Sequence, residues 1–286
     1  MDDGWCRVVF TVAADRAELA SDACWRAQAA GIEEQPGTGP DEVRLLAGFA
    51  DPAAAEAAIA HLRDLGIVRV AVERVDDAGL DAWRPFARAE RAGRWWVVPA
   101  WLPAPPHAAD ERTVEIDPAS AFGSGSHPTT RLVVDALDRT VVAGDRVLDV
   151  GCGSGVLSVV AALLGAEVVA IDIDPHAAET TEANARRNGV GARVRASARP
   201  LDQVAAEEPP FDVVAANLLA PVIHELVAPL VAAVAPGGLL VVSGLLEDRW
   251  EATTALLGPL AVDAVAVEDG WAAITLRAPG PGVARR

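Results

Sequence analysis

Between Arg146 and Asp174 the chain reads RVLDVGCGSGVLSVVAALLGAEVVAIDID, and that segment leaves few folds open. Val147–Val150 is a short apolar run of buried-strand length. Gly151, Gly153 and Gly155 follow at once. Val156–Leu164 is apolar and long enough for a helix, and Gly165 accepts the left-handed conformation that ends one. Val168–Ile171 is a second apolar run, closed by Asp172. Strand, glycine turn, helix, strand and acid make a βαβ unit.

Such a unit suits a nucleoside. Glycines let a ligand approach the backbone with no Cβ in the way. The start of the helix presents free N–H groups. A carboxylate at the end of the second strand can accept both ribose hydroxyls. Asp172 lies 172 − 151 = 21 residues beyond the first glycine, near the roughly 20 expected of a ribose acid. The dinucleotide fingerprint GxGxxG would need glycine at 156, where Val156 stands. The pattern present is GxGxG, which resembles the S-adenosylmethionine (AdoMet) loop of class I methyltransferases. A glycine turn in an unliganded α/β protein can look the same, so the flanks carry the distinction.

Pro175–Asn188 reads as a helix, Ala192–Ala196 as a third strand with a turn at Leu201-Asp202, and Phe211–Ala216 as a fourth strand running into Asn217. Pro221–Val234 is helical, and Leu239–Ser243 is a strand after the PGG turn. Val262–Val267 and Ala272–Leu276 flank EDGW as a hairpin. Parallel strands alternating with helices, closed by a hairpin, predict a seven-stranded doubly wound sheet. Ligands bind at the carboxyl ends of such strands, where Gly151, Asp172 and Asn217 all fall. Upstream, Glu111–Ile116 predicts a strand. Residues 117–137 predict a polar loop leading into a helix near Arg131, capped by Thr129 or Thr130. His127 reads as a loop-fixing residue; its neighbour Ser126 sits in no GxSxG elbow.

Residues 6–75 hold six short elements: strand Cys6–Val12, helix Asp15–Ala30, strand Ile32–Gln35, strand Glu42–Phe49, helix Ala53–Leu65 and strand Ile67–Val75. Asp51-Pro52 opens the second helix as cap and first residue. The order βαββαβ predicts a ferredoxin-like α+β sandwich, with no catalytic constellation in it. Pro85, Pro99, Pro103, Pro105, Pro106 and Pro118 then predict a semi-stiff connector. Its Trp95, Trp96 and Trp101 read as packing residues.

All 24 Lys-or-Arg positions are arginine. Without a lysine amine, Schiff-base and pyridoxal-phosphate chemistry and a P-loop are excluded. The net charge of −17, with no basic run, argues against nucleic acid as the direct ligand and suits a basic partner. Cys6, Cys24 and Cys152 form no CxxC, which fits a reducing cytoplasm and no metal site. No apolar run reaches the ~20 residues of a membrane span, and MDDGWCRVVF is acidic, unlike a signal peptide.

Four stretches, AFGSGSHPTT (121–130), DVGCGSGVLSVVAALLGA (149–166), AIDIDPHA (170–177) and ANLLAPVIHEL (216–226), together resemble the methyltransferase family of ribosomal large-subunit protein eleven, known as PrmA. The family's usual wording is close to FGTGTHPTT and NILA. Here serines replace two threonines and keep the hydroxyls, and Leu218 replaces isoleucine. GRWWVVPAW and GWAAITLRA are similar as well, whereas the first 75 residues match only in element order.

The resemblance implies a substrate-recognition domain at 1–75, a linker at 76–110, an AdoMet-dependent class I methyltransferase domain at 111–280 and a tail at 281–286. It implies methyl transfer from AdoMet, with S-adenosyl-L-homocysteine as product, to lysine side-chain and N-terminal amines of the ribosomal protein. Carried over by position, Thr130, Gly151, Gly153, Asp172 and Asn217 bind AdoMet, with Phe122 a neighbour. No side chain stands out as a strong base. Two other readings stay open at this point: AdoMet with another protein lysine or a small-molecule amine as acceptor, and a non-catalytic AdoMet-binding domain.

Overall fold

Asp51 accepts a hydrogen bond from Ala53 N at 2.8 Å, and Pro52 occupies the first helical position, where no N–H is needed. This local chemistry starts the second helix of an N-terminal unit. The computed structural model describes residues 6–74, apart from 28, 30, 38, 40 and 50, together with 87–118 and 125–280. The chain divides into two units, 1–86 and 87–286.

The first unit runs β1 (Cys6–Ala13), α1 (Ala17–Arg26), β2 (Gly31–Pro36), β3 (Glu42–Phe49), α2 (Pro52–Asp64) and β4 (Val70–Arg74). Its sheet has the order β2-β3-β1-β4, with every pair antiparallel. This is the βαββαβ arrangement expected. Alternate residues of β1 and β3, among them Val8, Phe10, Leu45 and Phe49, bury one face against Ala58 and Leu62 of α2. The first helix is shorter than the sequence expectation of 15–30. Ala27 N bonds back to Cys24 O at 3.1 Å, tightening the last turn and ending it.

The second unit opens where a linker was expected. β5 (Glu90–Ala92), β6 (Trp95–Pro99) and β7 (Arg112–Ile116) form a three-stranded sheet, so residues 90–92 and 95–99 are paired strand rather than connector. Pro99 ends β6, and Pro103, Pro105 and Pro106 lie in the irregular stretch beyond it, where no ladder N–H is required. Trp95 is buried and donates to Asp138 Oδ1 at 2.8 Å, and Trp96 donates to Glu111 Oε2 at 3.1 Å. Both indoles are structural.

The remainder is α3 (Pro128–Thr140), β8 (Arg146–Val150), α4 (Val156–Leu163), β9 (Glu167–Ile171), α5 (Pro175–Arg187), β10 (Val194–Ser197), α6 (Leu201–Glu207) and β11 (Phe211–Asn217). Then follow α7 (Ala220–Glu225), α8 (Val227–Ala233), β12 (Val234–Leu246), α9 (Trp250–Leu256), β13 (Ala261–Glu268) and β14 (Trp271–Arg277). The seven strands are ordered β10-β9-β8-β11-β12-β14-β13, parallel except where β14 meets its neighbours. Near-continuous apolar strands are buried on both faces. Val147, Val213 and Val241 face one core, and Leu148, Val214 and Leu240 face the other. Two details depart from the sequence reading. Leu201-Asp202 begins a helix, not a turn. The helix expected over 221–234 is broken at Leu226, because Pro229 has no N–H for Glu225 O and its ring crowds that carbonyl.

Candidate functional site

Strand register builds the site. Val150 at the end of β8 pairs with Ile171 on one side and Ala216 on the other. Gly151, Asp172 and Asn217 therefore leave three adjacent parallel strands at one level, with strands about 4.8 Å apart. Chain order reverses between β8 and β11, so a crevice opens there. Gly151, Gly153 and Gly155 have φ of +75°, +51° and +80°, a region open to glycine and costly for other residues. Gly151 N and Cys152 N both donate to Ile171 O, at 2.8 and 3.0 Å, which folds the loop back over β9.

Asp172 is held by that loop. Its Oδ2 accepts from Gly153 N and its Oδ1 from Asp174 N, each at 3.0 Å. Each oxygen keeps a further acceptor position, so the carboxylate is oriented without being used up. The next side chain, Ile173, is 96% exposed at the strand end. Water on that much apolar surface makes it a ready face for a flat ring. Asp174 caps α5 by accepting from His176 N at 2.9 Å.

Thr130 sits in the first turn of α3, and its residue is only 1% exposed. Its Oγ1 is buried and has no hydrogen-bond partner among the described residues. A buried unpaired hydroxyl costs on the order of 1–3 kcal/mol; a ligand atom would relieve that cost. The helix starts at Pro128, earlier than expected, and neither threonine is its cap. His127 is the cap: its Nδ1 accepts from Thr129 N at 3.4 Å and lies 2.8 Å from Thr129 Oγ1. Burial and the neighbouring Arg131 guanidinium hold its pKa below the usual imidazole value. A neutral ring is what a helix N-terminus favours. His127 also meets the Trp271 ring edge-on at 4.9 Å, and Arg131 donates to Glu268 at 2.6 and 2.8 Å. The helix start is thereby tied to the β13–β14 hairpin. Phe122 lies outside the described residues.

Asn217 ends β11 half-buried, and its side-chain amide makes no hydrogen bond among the described residues. Its neighbour Leu218 donates its N–H to Ser243 O at 3.0 Å, and its side chain closes the space over Gly151.

Sequence reasoning missed Asp149. It is buried in β8, where its Oδ2 accepts from Ser158 N at 3.1 Å and Ser158 Oγ at 2.6 Å. Its Oδ1 is buried without a partner among the described residues. The available signal was an acid inside the apolar run VLDV. Burial pushes its pKa up to about 6, the Asp172 charge adding to the shift while the Ser158 bonds oppose it. The unfolded carboxyl, near its ordinary 3.8, ionises first. The folded state therefore holds more protons between pH 4 and 6, and stability from this group falls as pH rises through that window, by up to about 3 kcal/mol. Asp149→Asn removes the titration. In denaturant unfolding of the ligand-free protein, the variant is expected to gain on wild type between pH 4 and 7. Parallel pH slopes would show that Asp149 ionises freely in the fold.

Residues 6–279 match the family described as "Ribosomal protein L11 methyltransferase (PrmA)". A protein named ribosomal protein L11 methyltransferase from Ectopseudomonas mendocina (strain ymp) is 36% identical over 291 residues, covering 95% of this chain and 98% of that protein. One of the same name from Cupriavidus necator is 38% identical, covering 92% and 94%. The crystal structure of a ribosomal protein L11 methylase from Lactobacillus delbrueckii subsp. bulgaricus superposes with a TM-score of 0.59 at 27% identity, over 65% of this chain and 96% of that one.

Proposed function

Because the chain belongs to the ribosomal protein L11 methyltransferase (PrmA) family, we propose that it methylates lysine side-chain and N-terminal amines of ribosomal protein L11, with AdoMet as donor. The observation that carries this reading is the shared register of Gly151, Asp172 and Asn217 at the crevice. The residues fit AdoMet. Asp172 has acceptor positions left for a ribose diol, Ile173 offers an apolar face to a purine, and Thr130 has a hydroxyl in need of a partner. Gly151 and Gly153 keep the loop surface free of side chains.

When bound, AdoMet supplies a methyl group on a sulfonium, ready for direct displacement by a neutral amine. The chain's own task is alignment, the largest lever on such a step. Asn217 has an amide oxygen free to accept from an amine N–H, and so to point its lone pair along the reaction axis. A lysine amine has a pKa of about 10.4 and must shed a proton first. Among the described residues no side chain is placed as a strong base, and solvent is the acceptor this reading assigns to that proton. The chemistry is that of an N-methyltransferase releasing S-adenosyl-L-homocysteine.

The N-terminal unit, with its own core and none of the site residues, is the recognition module for the protein substrate. The cysteines are all free and buried, and burial raises the pKa of Cys24 to about 11. That state suits the cytoplasm, where ribosomes are built. Among the described residues no helix is long and apolar enough to cross a membrane.

Intact-mass spectrometry of L11 incubated with the enzyme and AdoMet tests the reading. L11 is expected to gain mass in methyl increments. Asp172→Ala, which loses charge-assisted bonds, is expected to bind AdoMet at least about tenfold more weakly in calorimetry. Unmodified L11 beside methylated proteins of a deletion-strain lysate would move the activity to another acceptor.

A further inference from the structure

Helix α5 carries a polar stripe that is buried. Thr181 is 0% and Asn184 1% exposed, three residues apart on one helical face. Neither is needed to make the helix, and both cost desolvation unless fully bonded. Their partners are backbone atoms of the glycine loop. Thr181 Oγ1 donates to Gly153 O at 3.2 Å, and Asn184 Nδ2 donates to Ser154 O at 2.9 Å. Asn184 has a second set of bonds at the end of β7. Its Nδ2 also donates to Asp117 O at 2.8 Å, and its Oδ1 accepts from Asp117 N at 3.0 Å.

One turn further on, Asn188 bonds Glu115 in the same way, accepting from its N–H at 2.9 Å and donating to its carbonyl at 2.7 Å. Glu115 lies in β7 and Asp117 one residue past its end, and at strand spacing backbone groups two residues apart fall on the same edge about 6.6 Å apart. Asn184 and Asn188 are four apart on a helix, about 6 Å along its axis. The two amides match that edge of β7 as a neighbouring strand would. Of the pair, Asn184 alone also grips the glycine loop.

We infer that Thr181 and Asn184 are positioning residues for the cofactor: by holding the carbonyls of Gly153 and Ser154 they set the shape of the loop that faces AdoMet. In a planar trans peptide the N–H points opposite to the carbonyl. Fixing Gly153 O against α5 therefore directs the Ser154 N–H away from it. Asn184 further locks the loop to the point where the chain leaves β7 at Asp117. The inference rests on the reading of this loop as the AdoMet site.

The test compares AdoMet affinity and steady-state kinetics for Asn184→Ala, Asn188→Ala, Thr181→Val and Thr181→Ser in the full-length enzyme. A clasp that merely fastens α5 to β7 would make the two asparagine variants behave alike. A positioning role predicts that Asn184→Ala raises the KM and Kd for AdoMet about tenfold, with kcat at saturation within about threefold, while Asn188→Ala leaves both near wild type. Thr181→Val is expected to weaken AdoMet severalfold and Thr181→Ser to restore it. If Asn184→Ala does not fold, the threonine pair decides. Equal AdoMet affinity in Thr181→Val and wild type, or matching losses at Asn184 and Asn188, overturns the inference. Failure of the wild-type enzyme itself to bind AdoMet would instead overturn the reading of the site.

Discussion

A chain beginning at Ala87 is expected to bind AdoMet within about threefold of the full-length protein yet to methylate folded L11 at least about a hundredfold more slowly. Retained binding follows from the cores. The clusters around Val147 and Leu148, and all the residues placed at the crevice, belong to the 87–286 unit. Lost methylation follows from tethering, which raises the effective concentration of an amine at the crevice by orders of magnitude without a new contact there. The N-terminal unit has its own core around Phe10, Leu45 and Phe49, and its acidic residues outnumber its arginines. A basic substrate is drawn to such a surface, so added salt should raise the KM for L11 in the full-length enzyme and hardly change it in the shortened one. A short amine-bearing peptide at high concentration should distinguish the two chains far less. Full-rate methylation of intact L11 by the shortened chain would assign the N-terminal unit a merely shielding role.

Asn217→Ala is expected to lower kcat by about a hundredfold while leaving the AdoMet Kd within about threefold, because misalignment in a direct displacement costs rate before it costs binding. The side chain makes no hydrogen bond among the described residues, so its removal breaks no bond of the fold and the variant should unfold at the wild-type midpoint. Single-turnover methylation at saturating AdoMet, with calorimetric binding alongside, separates the effects. Lost affinity with normal turnover at saturation would make Asn217 a residue for the cofactor rather than for the amine.

The two asparagine predictions differ in kind. Asn217 has an open amide at a strand end, and Asn184 has one saturated by backbone. In sequence neither discloses this: Asn217 follows an apolar run and Asn184 lies in the polar stretch ETTEANARRN. Burial and partners separate them.

The sequence by itself determined the architecture. Apolar runs of strand length, spaced by helices and punctuated by glycine, admit a covered parallel sheet, and the final hairpin was visible in the turn residues of EDGW. It also determined which residues stand at strand ends, since Gly151, Asp172 and Asn217 each terminate an apolar run. Where it misled, composition was read without pairing. The prolines near residue 100 signalled a connector, but Trp95–Pro99 finds partners on both sides, in β5 and in β7. The caps at 129 and 130 were assigned by residue type, whereas Pro128 suits the first helical position and hands the cap to His127.

Only the tertiary structure decided which polar groups are buried and to what they are bonded. That the Thr130 hydroxyl is unpaired among the described residues, that Asp149 is driven towards its neutral form, and that Thr181 and Asn184 hold loop carbonyls all depend on neighbours brought in from elsewhere in the chain. Asn184 meets residues 67 and 30 positions away. Local propensity carries no record of such pairings, because the free energy of a polar atom is set by the solvent it loses and the partner it gains, and both are properties of the packed molecule.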